Sequence, residues 1–236
     1  MKVSIQRENG FVEYDVALKD TTLLELLSEI KTKQDNTLAF SSGCRSSVCG
    51  SCSMRVNESE VLACSYKVQD GDKIEPLQNV EVLRDLVVDM NRALTYNTKA
   101  KAWLVKSDKC VNLNHEDEKV NALQSDCILC GSCYSSCPVY AVNPDFLGPF
   151  ALTRVWKYVS DKREDHKQTK ITEIQTNGVW ECTLCNNCTV VCPQNISSKA
   201  DIEKLRMKSA QYGFMDPNFG FFDGSFPSSS IFMDQS

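Results

Sequence analysis

The sequence predicts an α+β chain in two parts, a small sheet-bearing domain followed by an all-α one. Three observations carry this. Apolar and polar residues alternate over Val3 to Ile5 and Val12 to Val16, the period of half-buried strands. Apolar residues recur at helical spacing from Leu23 onward, and strand signals fade beyond Asn97. Twelve of the thirteen cysteines fall into three runs, one in the first part and two in the second.

Glu8-Asn9-Gly10 separates the first two strands, and Asn-Gly is a hairpin signal because both central residues of such a turn take φ > 0. Leu23, Leu24, Leu26, Leu27 and Ile30 then mark a helix, which Thr22 and Glu25 open as a capping box. Hairpin, helix and cysteine loop, in that order, are the layout of a β-grasp ferredoxin. Met54 to Val56 and Val61 to Ala63 are expected strands that carry Cys52 and Cys64 into one site. Leu83, Leu86, Val87, Met90 and Leu94 fit one apolar helix stripe after that domain. A further helix is expected from about Phe150 to Asp165, with Leu152, Val155, Trp156 and Val159 on its buried face.

The cysteine spacings carry the chemistry. Cys44-x4-Cys49-x2-Cys52, closed by Cys64, is the plant-type 2Fe-2S pattern. Cys127-x2-Cys130-x2-Cys133-x3-Cys137-Pro138 and Cys182-x2-Cys185-x2-Cys188-x3-Cys192-Pro193 are the paired run of two-cluster bacterial ferredoxins, in which the fourth cysteine serves the other cluster. A disulfide framework does not favour repeated x2 spacings followed by proline. Zinc sites use separated Cys-x2-Cys pairs rather than four cysteines in one short run. The loop from Ser41 to Cys52 is rich in small residues, which lets backbone N–H groups approach sulfur.

A net charge of −5 argues against nucleic acid as a partner. No apolar run reaches the length of a membrane span, and Met1-Lys2 leads straight into a strand pattern with no leader expected. Cys110 lies outside the runs and is expected to be a buried or idle thiol. His115, in an acidic loop, and His166, in a surface pattern, lack ligand spacing. No Ser-His-Asp set, phosphate loop or dinucleotide fingerprint is present, so neither flavin nor substrate chemistry is expected in this chain. From Gly213 on, Phe214, Phe219, Phe221, Phe222, Phe226 and Phe232 lie among Gly, Ser, Pro and Asp, expected either as a docking strap or as a disordered end.

The chain up to about residue 212 resembles the iron–sulfur subunit of the succinate dehydrogenase/fumarate reductase family. The resemblance rests on Cys44-Arg45, on Val48 to Met54, on Leu62-Ala63-Cys64, on Glu75 to Val80 continuing through Leu83 to Met90, and on Cys127 to Cys133. It implies a β-grasp 2Fe-2S ferredoxin domain at 1–97 and an α-helical bacterial-ferredoxin-like domain with two cubane-type clusters at 98–212, and the Phe-rich tail at 213–236 lies beyond it. It implies Cys44, Cys49, Cys52 and Cys64 as ligands of the 2Fe-2S cluster, and Cys127, Cys130, Cys133 and Cys192 as ligands of a middle 4Fe-4S cluster. The distal cluster takes Cys137, Cys182 and Cys188, with Cys185 as the fourth ligand of a 4Fe-4S cluster. The alternative is a 3Fe-4S cluster beside an idle Cys185.

The implied role is electron transfer between a FAD-bearing flavoprotein partner, where succinate and fumarate interconvert, and a quinone-side partner. Most relatives lack the cysteine at position 185. Quinone-reducing relatives carry a Trp pair where Ala141 and Val142 stand, and a His where Thr183 stands. These departures look like the E-type members, including methylmenaquinol:fumarate reductases, which use a cysteine-rich third subunit in place of a haem-bearing membrane anchor. Ser47 stands where the family has Gly, so a different local turn is expected. The implied location is the membrane periphery through partners, on the cytoplasmic face, with the periplasmic face as the alternative. Two other functions stay open on sequence alone: an iron–sulfur subunit of another flavoenzyme complex, and a free-standing ferredoxin-like carrier.

Overall fold

Alternating side chains let β1 (Lys2–Arg7) and β2 (Gly10–Asp15) pair as an antiparallel hairpin that buries Val3, Ile5 and Tyr14. The structure is a computed structural model and describes residues 1–17, 20–105 and 110–217. The Phe-rich segment from 218 on therefore lies outside the described residues, Phe219, Phe221, Phe222, Phe226 and Phe232 with it. Phe214 is described and packs against the helical core.

The β1–β2 turn differs from the expected one. Arg7 pairs with Gly10, so Glu8 and Asn9 are its central residues, and Gly10 takes the positive φ of 112°. The two-residue loop with both φ values positive is instead Asn57-Glu58 (48° and 69°), which joins β3 (Ser53–Val56) to β4 (Ser59–Leu62). With β5 (Lys73–Glu75) these strands form a five-stranded sheet, order β2-β1-β5-β3-β4, parallel only between β1 and β5. Helix α1 (Leu23–Lys33) lies on one core face, burying Leu23, Leu24, Leu26, Leu27 and Ile30 against Ile5, Met54 and Ile74. Each of these aliphatic side chains contributes on the order of 2 kcal/mol. The capping box is present: Thr22 accepts from the Glu25 N–H at 3.3 Å, and Glu25 accepts from the Thr22 N–H at 2.9 Å. These hydrogen bonds, the backbone one first, hold the Glu25 carboxyl down at about 2.

The helix stripe expected over Leu83 to Leu94 is not a helix. Strands β6 (Glu81–Arg84) and β7 (Val87–Asp89) form a small hairpin, and helix α2 (Asn91–Lys99) begins only after it. The cause is long-range. Asp85, at the turn with φ 48°, is buried and accepts from Arg7 Nε and from the Ala39 N–H, both at 2.8 Å. β-Branched Val82, Val87 and Val88 suit the extended backbone on either side. Arg7 also pairs with Asp35 and Tyr14, tying the hairpin to β1.

The expected boundary at Asn97 lies inside α2, whose Ala93 and Tyr96 pack into the second core. That core is built on α7 (Pro149–Val159), which touches α2, α4 (Ala122–Ser125), α5 (Ser132–Ser135), α8 (Lys167–Glu173) and α10 (Ser198–Gln211). Helix α7 ends at Val159, short of the expected Asp165, and buries Leu152, Val155 and Val159. Trp156 sits half-buried at its edge, with Lys204 over the ring. His115 opens a short exposed helix, α3 (His115–Lys119), capped by Asn114 and Asp117, rather than lying in a loop. Two further short helices, α6 (Pro138–Val142) and α9 (Asn187–Val190), complete the lobe. Among the described residues no helix is long and apolar enough to cross a membrane.

Candidate metal centres

The loop from Ser41 to Cys52 turns its amides onto sulfur. The N–H groups of Ser46, Val48 and Cys49 donate to Cys44 Sγ at 3.3–3.4 Å, and the Cys44 N–H donates to Cys49 Sγ at 3.3 Å. The Ser47 N–H donates to Cys64 Sγ at 3.3 Å, and the Ser47 hydroxyl stands 3.6 Å from the same sulfur. Ser47 adopts φ 59°, the left-handed region that favours glycine, and brings a hydroxyl to that position. The Ser51 hydroxyl, 3.0 Å from Cys49 Sγ, is the largest influence holding that thiol down at about 6; amide donors add to it. Burial pushes Cys52 up to about 11, and its sulfur interacts with those of Cys64 and Cys49. Cys64 is also partly desolvated, yet Ser47 and Cys52 bring it below the usual thiol range. The four cysteines of the first set thus meet at one place.

The second and third runs fold as a repeat. Leu129 and Leu184, each just before a cysteine, have φ 53° and 57°; Gly131 and Asn186, just after it, have 84° and 74°. Each left-handed pair aims a backbone N–H at sulfur, and the Leu184 N–H reaches Cys182 Sγ at 3.4 Å. The third cysteine of each run then enters a short helix, α5 or α9. Cys127, Cys130, Cys133 and Cys192 wall one cavity, which the Ile128 to Ser132 backbone, Thr153 and Ser198 help line. Cys137 and Cys188 each lie within electrostatic reach of Cys182 and Cys185. Cys192 thus lies beside the first three thiols of the second run, and Cys137 near those of the third. Burial raises Cys127, Cys133, Cys137 and Cys182, and lifts Cys188 to about 12, so metal loading must expel their protons. Cys185 is the exposed member of its set.

The three sets adjoin. Gly50, with φ 70°, presses on the second set: a Cβ there would lie 2.8 Å from Cys130 Cβ and 2.9 Å from the Ile128 carbonyl. Cys133 in turn lies within electrostatic reach of Cys188. All thirteen cysteines are free thiols, and among the described residues no three His, Cys, Asp or Glu side chains converge on a single ion. Thiols ringed around spaces, with amides aimed at sulfur, suit polynuclear clusters. Cys110 is exposed, not buried, and His115 and His166 are exposed. Sequence reasoning missed Ser51 and Thr153 as neighbours of the sites. The Cys49-x-Ser51 spacing could have flagged the first; Thr153 arrives only through tertiary packing of α7.

Residues 2–95 match the family described as a 2Fe-2S iron-sulfur cluster binding domain, and residues 124–196 match a 4Fe-4S dicluster domain. The chain is 36% identical to the 8-methylmenaquinol:fumarate reductase iron-sulfur subunit of Wolinella succinogenes, over 90% of this chain and 74% of that one. It is 33% identical to the fumarate reductase iron-sulfur subunit of Escherichia coli, over 89% and 93%. Its fold is that of a chain in the Mycobacterium smegmatis Sdh1 complex in the apo form, with a TM-score of 0.79 at 23% identity, covering 89% of this chain and 95% of that one. With an N-terminal sheet and cysteine loop for a 2Fe-2S cluster and a helical lobe with a dicluster repeat, this chain belongs to the iron–sulfur subunits of the succinate dehydrogenase/fumarate reductase family.

Proposed function

We propose that the chain relays single electrons within a succinate dehydrogenase/fumarate reductase complex, between a FAD-bearing flavoprotein and a quinone-side or cysteine-rich third subunit. The observation that carries this is the continuity of the three cysteine sets, through Gly50 against Cys130 and then Cys133 beside Cys188. The assigned ligands are Cys44, Cys49, Cys52 and Cys64 for a 2Fe-2S cluster, and Cys127, Cys130, Cys133 and Cys192 for a middle 4Fe-4S cluster. Cys137, Cys182, Cys185 and Cys188 hold a distal 4Fe-4S cluster. When bound, such clusters take up and release one electron each.

The chain's residues set the conditions for that exchange. Amides and hydroxyls of Ser46, Ser47, Val48 and Ser51 offset negative charge on the first set of sulfurs. Burial of Cys133, Cys137 and Cys188 keeps water from the inner sites. The exposed loop around Cys44, Val48 and Cys49 faces the flavoprotein. The opposite end, at Cys185 with the exposed Val142 (82%) and Val190 (78%), faces the third subunit. Partners then hold the chain at the membrane periphery, on the cytoplasmic face.

Electron paramagnetic resonance and iron analysis of anaerobically purified complex test this. Three clusters are expected, with no three-iron signal after oxidation. In Cys185→Ser a three-iron signal should appear while the 2Fe-2S signal stays unchanged. Identical distal spectra in wild type and variant would remove Cys185 from the ligand set.

A further inference from the structure

A buried acid that electron transfer as such does not require lies behind the middle site. Asp201, on α10, is 1% exposed. Gln124 Nε2, from α4, donates to Asp201 Oδ1 at 2.8 Å, and Lys204 Nζ stands 3.7 Å from the same oxygen. The other oxygen, Oδ2, is buried with no hydrogen bond. Thr153, from α7, faces this carboxylate with a buried hydroxyl, and it is the polar group that Oδ2 meets on that side. Thr153 and Ser198 also line the cavity walled by Cys127, Cys130, Cys133 and Cys192. A buried carboxylate oxygen and a buried hydroxyl thus face each other beside that cavity. The Thr153 hydroxyl can serve either state of the acid, donating to Oδ2 when the carboxylate is ionised and accepting from its O–H when a proton is bound.

We propose that Asp201 is a proton-binding group coupled to reduction of the centre held by Cys127, Cys130, Cys133 and Cys192, with Thr153 as the link between carboxyl and site. This rests on the reading of those cysteines as a 4Fe-4S site. The step balances simply. One electron, arriving from the neighbouring centre, adds one negative charge to the site. One proton from bulk water binds Asp201 Oδ2, and no other bond changes. Lys204, 42% exposed, marks the solvent side from which the proton enters.

The surroundings favour that response. Burial, the largest influence, lifts the Asp201 carboxyl to about 6; Gln124, Lys204 and Thr153 offset only part of it. Lys204 is the cation that faces it, and lies over the Trp156 ring of α7. Among the other charged groups of α7, Arg154 and Lys157 act on Cys127. On α8, Lys170 is paired with Glu164 at 3.2 Å; α9 brings the Cys188 thiol. Added negative charge at the site raises the carboxyl's proton affinity further. The sign follows: from about pH 6 up to the carboxyl's higher pKa in the reduced state, the oxidised state holds Asp201 ionised, reduction draws in a proton, and the midpoint potential falls as pH rises. Below that range the carboxyl is protonated in both states and the potential is flat.

Potentiometric titration of the holo complex, followed by electron paramagnetic resonance at several pH values, tests this. In wild type the middle centre's reduced-to-oxidised ratio should change up to tenfold per pH unit above about pH 6, about 59 mV for a one-electron couple. Asp201→Asn should abolish that dependence and leave the 2Fe-2S potential unmoved. A variant that keeps the wild-type slope, or a wild type with none, overturns the proposal. Should Asp201→Asn fail to load, infrared difference spectra of wild type decide: a protonated-carboxyl band must appear on reduction, and its absence refutes the coupling. A wild type without a 4Fe-4S signal from this site sinks the underlying reading as well, whereas a signal with a pH-independent potential sinks the proposal alone.

Discussion

Ser47 shows how one side chain can alter a metal site without altering the backbone. The left-handed conformation at φ 59° costs a non-glycine residue roughly 1 kcal/mol. In return the hydroxyl stands 3.6 Å from Cys64 Sγ, beside the amide bond to the same atom. A donor at sulfur favours the more negative, reduced state. Ser47→Gly should therefore stabilise the loop slightly and lower the 2Fe-2S midpoint potential. A potentiometric titration in which the potential stays or rises would deny the hydroxyl its role. The same contact gives the serine a role at this left-handed position that a glycine could not fill.

At the scale of elements, the cysteine loops were legible and the connecting segments were not. Ligand spacing is local, so three short runs specify three loops, and the paired φ signs at Leu129 and Gly131, and at Leu184 and Asn186, follow from that repeat. Helix α1 was equally plain, since its apolar face and capping box lie within one stretch of sequence. The β6–β7 hairpin was hidden because Arg7 and Ala39, far away in sequence, decide the conformation at Asp85. Helical spacing over Leu83 to Leu94 was coincidence; Leu83 and Leu94 are exposed. The approach of one loop to another was hidden in the same way. Gly50 permits it, and Gly50→Ala would push Cβ into the Cys130 and Ile128 backbone, which has no flexible end to move aside. Overpacking of this kind costs about 1–3 kcal/mol. The variant should unfold at lower denaturant and lose iron from the adjoining sites; an iron content and midpoint equal to wild type would show that the loops can part.

Across the whole molecule, a polar clasp holds the lobes together. Asn79 Nδ2 reaches the carbonyls of Tyr134, Ser135 and Cys137 at 3.2, 2.8 and 3.3 Å. The Gln78 N–H donates to Ser135 Oγ at 2.9 Å, and that hydroxyl donates to Glu60 at 2.8 Å. Gln194 Nε2 adds a bond to the Ser47 carbonyl at 3.3 Å. Asn79→Ala leaves three carbonyls without that donor, a loss of about 1–3 kcal/mol. Hydrogen exchange should then quicken at Gly50 and at Cys130 together; quickening at only one, or at neither, would show that the lobes are held elsewhere.

The abutment of Gly50 on Cys130 also constrains biogenesis. Once the halves dock, the contact between the first two sets is made by peptide rather than by a movable side chain. Iron and sulfide reaching the docked chain therefore meet a seam that cannot swing aside there, while Cys44 and Cys49 stand exposed on the outer side.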